Sequence, residues 1–151
     1  MKNSELYLGL GTNLGNREAN LQDACDVIAN VYPIVRSSDI IETDAWGYES
    51  DNKYYNQVIV CYCEDTPEEV LANLQNIEKL LGRTHKTVNG EYQDRPIDID
   101  ILMYGERVID RPELKIPHPL IGERDFVKQP LKEVVTIKML EFLKKNNIEI
   151  L

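Results

Sequence analysis

Residues 6–10 are apolar at nearly every position, whereas residues 97–101 alternate strictly between isoleucine and aspartate. The first pattern predicts a strand covered on both faces and therefore central. The second predicts a strand with one apolar face, carrying Ile97, Ile99 and Ile101, and one acidic face, carrying Asp98 and Asp100. After the first strand a loop is expected over residues 11–16. Asn16 then caps a helix running to about Val31, with Leu21, Ala24, Cys25, Ile28 and Val31 at helical spacing and Pro33 as the stop. Residues 34–43, rich in β-branched side chains, read as a second strand. Residues 54–63 read as a third, antiparallel to the second across a polar, aromatic connection over residues 44–53.

Thr66 and Glu69 form a capping box with Pro67 at the first helical position. Val70, Leu74, Ile77 and Leu81 supply the buried stripe of that helix, and Gly82 ends it. A polar stretch over residues 83–95 leads into the acidic strand. The order strand, helix, strand, strand, helix, strand predicts an α+β fold, a ferredoxin-like βαββαβ sandwich with helices on one face of an antiparallel sheet. Beyond it, residues 106–116 predict an extra hairpin or loop. Pro117, His118 and Pro119 make a rigid turn, and short helices follow, the last over residues 136–145 with Met139, Leu140 and Leu143 apolar. No repeat or linker divides residues 1–151, which are expected to form one domain.

Composition narrows the partners. The 151 residues carry a formal net charge of −9, which argues against nucleic acid or an anionic membrane as the main partner. An anionic ligand needs a local cluster of cations instead. The first residues carry neither a signal-peptide pattern nor a membrane span, so a cytoplasmic location is expected. Cys25, Cys61 and Cys63 lack zinc-finger or Cys-x-x-Cys spacing and read as reduced packing thiols.

The candidate chemistry sits on the acidic strand. Side chains at i and i+2 point the same way about 6–7 Å apart, which implies on the order of 2 kcal/mol of repulsion between Asp98 and Asp100 at an effective dielectric near 20. A hard cation offsets it, and magnesium, which takes one or two carboxylates together with substrate phosphates, suits the pair. Arg95 precedes the strand, while Arg83, His85 and Lys86 follow a helix end, so cations can converge on an anion beside the carboxylates. That combination meets the needs of phosphoryl transfer. Gly9, Gly11 and Gly15 do not make a dinucleotide fingerprint, because the last interval is one residue too long. On residues alone, Asp-x-Asp also occurs on solvated strands, Glu78 can be a solvated helix flank, His118 can simply bond a turn, and Tyr54 and Phe126 can be core aromatics.

A set of blocks in order goes further: residues 10–16 (LGTNLGN), Glu42 and Thr43, residues 54–58 (YYNQV), Ile77 and Glu78 before Gly82 and Arg83, residues 94–102 (DRPIDIDIL), residues 116–119 (IPHP), and residues 124–127 (RDFV) with Pro130 and Leu131. In these the chain resembles the 6-hydroxymethyl-7,8-dihydropterin pyrophosphokinases of folate synthesis, which transfer pyrophosphate from ATP to a pterin hydroxymethyl group. The resemblance implies that Asp98 and Asp100 hold two magnesium ions on the ATP phosphates, and that Arg83 and Arg95 bind the transferring group. It places Gln75, Glu78, His85, Ile101 and His118 with the nucleotide, Arg124 with phosphate, and Thr43, Asp44, Tyr54, Asn56 and Phe126 at the pterin. Two aromatic rings suit a flat heterocycle, and Asn56 offers its edge a donor and an acceptor. The segments over residues 44–53 and 83–94 are expected to close over the substrates and exclude water. The implied protein is a monomer.

The chain also departs from the family pattern. His85 stands where a second arginine is frequent, residues 87–93 lack a common tryptophan for which Tyr92 is the replacement candidate, and Asp44, Ala45, Trp46 and Gly47 replace a proline-containing run. A metal-dependent phosphohydrolase and a non-catalytic ligand-binding module of the same fold are the rival readings.

Overall fold

The computed structural model describes residues 4–44, 52–82 and 96–151. Its elements run β1 (Ser4–Thr12), α1 (Arg17–Val31), β2 (Ile34–Ser37), β3 (Ile41–Thr43), β4 (Tyr54–Cys63), α2 (Pro67–Leu80), β5 (Asp98–Tyr104), β6 (Ile109–Arg111), β7 (Leu114–Ile116), α3 (Asp125–Val134) and α4 (Ile137–Lys145). The main sheet has the order β2-β4-β1-β5, with β3 continuing along the same side of β4 as β2. All its pairings are antiparallel, so β1 is central as its apolar run predicts, and β5 lies at an edge. The arrangement is the ferredoxin-like α+β fold.

The local signals act as the sequence predicts at the helix starts. Asn16 accepts from the N–H of Ala19 at 3.0 Å. The Thr66 capping box is complete, with Glu69 N–H to Thr66 Oγ1 at 3.2 Å and Thr66 N–H to Glu69 Oε1 at 3.0 Å. Such caps satisfy N–H groups that the helix leaves orphaned, each worth about 1 kcal/mol. Gly82 takes φ +102°, a left-handed conformation that ends α2 at little cost. Residues 109–116 form the expected hairpin, β6 with β7.

Several expectations need correction. The sheet is covered on both faces, not one. Leu6, Leu8, Leu10, Ile97, Ile99 and Ile101 pack under α1 and α2. Tyr7, Val58, Val60, Leu102 and Met103 pack on the other face against Ile121, Val127, Leu131, Val134, Met139, Phe142 and Leu143. The face of β5 that begins with Asp98 and Asp100 is therefore apolar from Leu102 onward, where the C-terminal helices cover it. β1 extends through Gly11 and Thr12, which pair with Asn56 and Tyr55, so the loop begins later than predicted. Residues 34–43 make two short strands because Ser38 bonds across to β4 with its side chain as well as its backbone: Ser38 Oγ accepts from Val58 N–H at 2.9 Å, and Ser38 N–H donates to Val58 O at 2.9 Å. Val31 is 46% exposed while Tyr32, just past the helix, is buried. Leu81 caps α2 rather than lying within it.

α3 is fastened to the sheet by a polar network. Arg36 donates bidentately to Glu5 at 2.8 and 2.9 Å, and to the Val134 carbonyl at 3.0 Å at the end of α3. Arg36 holds the Glu5 carboxyl below its ordinary range. Cys61 and Cys63 are buried and Cys25 half-buried, all in the α1/α2 layer, and burial pushes the Cys61 thiol up to about 12. They are packing groups, not nucleophiles.

Candidate functional site

The second layer ends before the sheet does. Toward the start of β5, the face that α3 covers carries Gly9 and Gly11 on the central strand. Gly9 pairs with Asp100 on one side and Val58 on the other; Gly11 pairs with Asp98 and Asn56. Bare backbone at these two positions leaves a trough between the carboxylates of β5 and the polar side chains of β4. A Cβ on Gly11 would lie 3.2 Å from Asn56 Oδ1 and 3.5 Å from the Tyr54 ring. Glycines two apart on a strand mark such a close approach, a signal more telling here than their partial likeness to a dinucleotide fingerprint.

A first cleft opens over this trough. Its lining includes Gly9, Gly11, Thr43, Asp44, Tyr54, Asn56, Asp98, Asp100, Arg124 and Phe126. Asn56 is buried and its Nδ2 donates to Thr43 Oγ1 at 2.7 Å. Arg124, 8% exposed, stands at the N-terminus of α3 with Nη1 3.9 Å from Asp100 Oδ2 and its guanidinium 5.6 Å from the Phe126 ring centre. The cleft thus offers aromatic groups, an amide with both hydrogen-bonding senses, and a cation facing a carboxylate.

A second cleft lies between α2, the edge strand and the β6–β7 hairpin. Gln75, Glu78, Ile99, Asp100, Ile101, Glu113, Lys115 and His118 line it. Glu78 is 6% exposed and accepts the backbone N–H of Ile99 at 2.8 Å, so it is not a solvated helix flank. His118 Nδ1 accepts from Leu120 N–H at 3.1 Å, which leaves the ring proton on Nε2. Burial, aided by the Arg124 guanidinium and opposed by Asp98, pushes the His118 pKa down to about 4. The ring is neutral near pH 7 and presents a fixed N–H donor. The backbone N–H of His118 donates to Leu102 O at 2.8 Å, which ties the residue to the β5 edge.

The residues singled out from the sequence divide between these clefts. Thr43, Asp44, Tyr54, Asn56, Phe126, Asp98 and Arg124 gather in the first; Gln75, Glu78, Ile101 and His118 gather in the second; Asp100 lines both. Arg83, His85 and Arg95, with Lys86, Tyr92 and Trp46, lie outside the described residues, as do most of the two segments expected to close. Magnesium fits the donor set, since Asp98 and Asp100 present only oxygen. Among the described residues no group of three or more His, Cys, Asp or Glu is placed to hold a metal ion, so such an ion would complete its shell with substrate phosphate and water. Among the described residues no helix is long and apolar enough to cross a membrane.

Comparison with known proteins identifies the family. Residues 7–136 match the model of the 7,8-dihydro-6-hydroxymethylpterin-pyrophosphokinase family. A 2-amino-4-hydroxy-6-hydroxymethyldihydropteridine pyrophosphokinase of Porphyromonas gingivalis is 42% identical over 131 residues, 85% of this chain and 89% of the relative. The enzyme of the same name from Aquifex aeolicus is 36% identical over 129 residues, 85% of this chain and 79% of the relative. A crystal structure of wild-type Plasmodium falciparum HPPK-DHPS with pteroate superimposes with a TM-score of 0.67 at 16% identity, covering 99% of this chain and 45% of that longer one. This last likeness speaks to the fold alone. On the family match and the identity to its relatives, the chain belongs to the 7,8-dihydro-6-hydroxymethylpterin-pyrophosphokinase family.

Proposed function

We propose that the chain carries out its family's reaction on the β5 strand, where the two clefts meet. It is an ATP-dependent diphosphotransferase of folate biosynthesis that moves pyrophosphate from ATP to 6-hydroxymethyl-7,8-dihydropterin, giving AMP and the pterin diphosphate. The observation that carries the placement is Asp100, the side chain common to both clefts. The pterin occupies the first cleft, where Tyr54 and Phe126 suit a flat ring and Asn56, held by Thr43, addresses its polar edge. ATP occupies the second, with Gln75, Glu78, Ile101 and the Nε2–H of His118 around it. The pterin hydroxyl oxygen bonds to the β-phosphorus, the bond from that phosphorus to the α,β-bridging oxygen breaks, AMP departs, and the hydroxyl proton is released.

Asp98 and Asp100 would hold magnesium, two ions in our reading, which when bound supplies charge neutralisation at the phosphate oxygens. Arg124 adds a buried cation at the same place, facing Asp100 and able to contact phosphate. Arg83, His85 and Arg95 are assigned to the transferring phosphates on their motif positions. Asp98 is also assigned assistance in the loss of the hydroxyl proton. Residues 1–151 act as one domain, as a cytoplasmic monomer whose partners are its small substrates. The direct experiment measures AMP formed from ATP with and without the pterin. Production that requires the pterin supports the reading; AMP or phosphate release at the same rate without it identifies a phosphohydrolase instead.

A further inference from the structure

Arg17 touches three parts of the chain with one side chain. At the first residue of α1, its Nη1 lies 2.8 Å from Glu42 Oε2 on β3 and donates at 3.0 Å to the Lys53 carbonyl just before β4. The guanidinium also stacks over the Tyr55 ring, 3.8 Å from its centre. Glu42 and Tyr55 are directly opposite each other in the β3–β4 ladder, so both point to the α1 side. Their ladder neighbours, Thr43 opposite Tyr54 and Ile41 opposite Asn56, point to the other face. Thr43, Tyr54 and Asn56 line the first cleft there, and Arg17 does not.

We infer that Arg17 is a positioning residue for the first cleft, fixing the Thr43–Asn56 pair from behind through Glu42 and Tyr55; the inference rests on the proposed function. β3 is three residues long and, among the described residues, pairs with β4 alone. A strand at the short end of the usual range makes few ladder bonds, so side-chain contacts weigh more in holding its place. Thr43 Oγ1 accepts from the Asn56 amide at 2.7 Å, so any drift of β3 releases Asn56 to rotate. A preorganised amide binds a heterocycle edge more tightly than one that must be ordered on binding. The consequence is specific to the pterin, because among the described residues Arg17's partners Glu42, Lys53 and Tyr55 do not line the second cleft.

The test is steady-state kinetics on the full chain with both substrates varied. Arg17→Met, which keeps the apolar stem, should raise the KM for 6-hydroxymethyl-7,8-dihydropterin about five- to tenfold, with kcat and the KM for ATP changed less than about twofold. Arg17→Lys should recover part of the loss by restoring the pair with Glu42. Glu42→Gln should raise the same KM, and combining it with Arg17→Met should add little beyond the single change. Equal effects on both KM values, or an unchanged pterin KM, overturns the inference. If Arg17→Met does not fold, Glu42→Gln and Arg17→Lys decide it on the same readouts. A wild-type chain that makes no AMP from the two substrates overturns the proposed function and this inference with it; an active wild type with unaltered variants overturns this inference alone.

Discussion

Glu78 Oε2 accepts the backbone N–H of Ile99 at 2.8 Å, midway between the two aspartates of β5. A carboxylate on α2 therefore helps set the position of the strand that carries Asp98 and Asp100. Replacing Glu78 by Ala leaves a buried N–H without its acceptor, at a cost of about 1–3 kcal/mol. Glu78→Gln keeps an oxygen in place and should retain most of that stability. Urea unfolding without ligands measures both, and a glutamine variant as unstable as the alanine variant would show that the charge, not the acceptor, matters.

Asp98→Ala and Asp100→Ala should each leave the fold intact and reduce AMP formation at least about a thousandfold, since charge neutralisation carries most of the catalysis in phosphoryl transfer. Calorimetry with magnesium and a non-hydrolysable ATP analogue should show metal-dependent nucleotide binding weakened in both. Near-normal turnover in either variant removes the aspartates from the centre of the reaction.

Gly11→Ala places a methyl group 3.2 Å from Asn56 Oδ1 and 3.5 Å from the Tyr54 ring, inside the first cleft. The pterin KM should rise about tenfold, a methyl-sized steric effect, while the KM for ATP stays the same. Equal losses for the two substrates would mean that the trough is not the pterin floor.

His118 gives a pH signature. Its folded pKa is lowered to about 4 from the ordinary 6.5, so the unfolded chain binds a proton that the folded chain refuses. Stability contributed by the neutral ring is present above pH 6.5 and is lost as pH falls from there toward 4. Each unit of displacement is worth about 1.4 kcal/mol. In magnesium-free buffer, unfolding free energy should decline between pH 6.5 and 4.5, before most carboxylates titrate, and His118→Gln should flatten that slope. An unchanged slope would assign the decline to other groups. The kcat profile should show no inflection near 6.5 from this residue.

Much of this architecture is legible in the residues themselves, where the signals are local. Caps such as Asn16 and Thr66 act within a turn, and the alternation of residues 97–101 fixes which β5 side chains share a face, so both survive into the fold unchanged. What escapes a linear reading depends on distant partners. Ser38 breaks a β-branched run only because Val58 meets it, and Val31 stays outside because Tyr32 takes the buried place. Glu78 looks like any helical glutamate until Ile99 is beside it. The apolar positions of α3 and α4 are visible in sequence, but not that they cover the second face of the sheet. At the site, Asp98, Asp100 and the polar residues of β4 stand out by type; Gly9 and Gly11 work by lacking side chains.

That glycine trough bears on the ligand-free protein as well. The layer between the sheet and α3 stops at Val58, Leu102 and Val127, and beyond it Gly9 and Gly11 put no side chain into the space. On the proposed placement, a flat substrate lying there would act as the final packing element of the interior. Folding and recognition then share one interface, and the short β3 strand should be the part whose amide hydrogens exchange faster without substrate and slow most when it arrives.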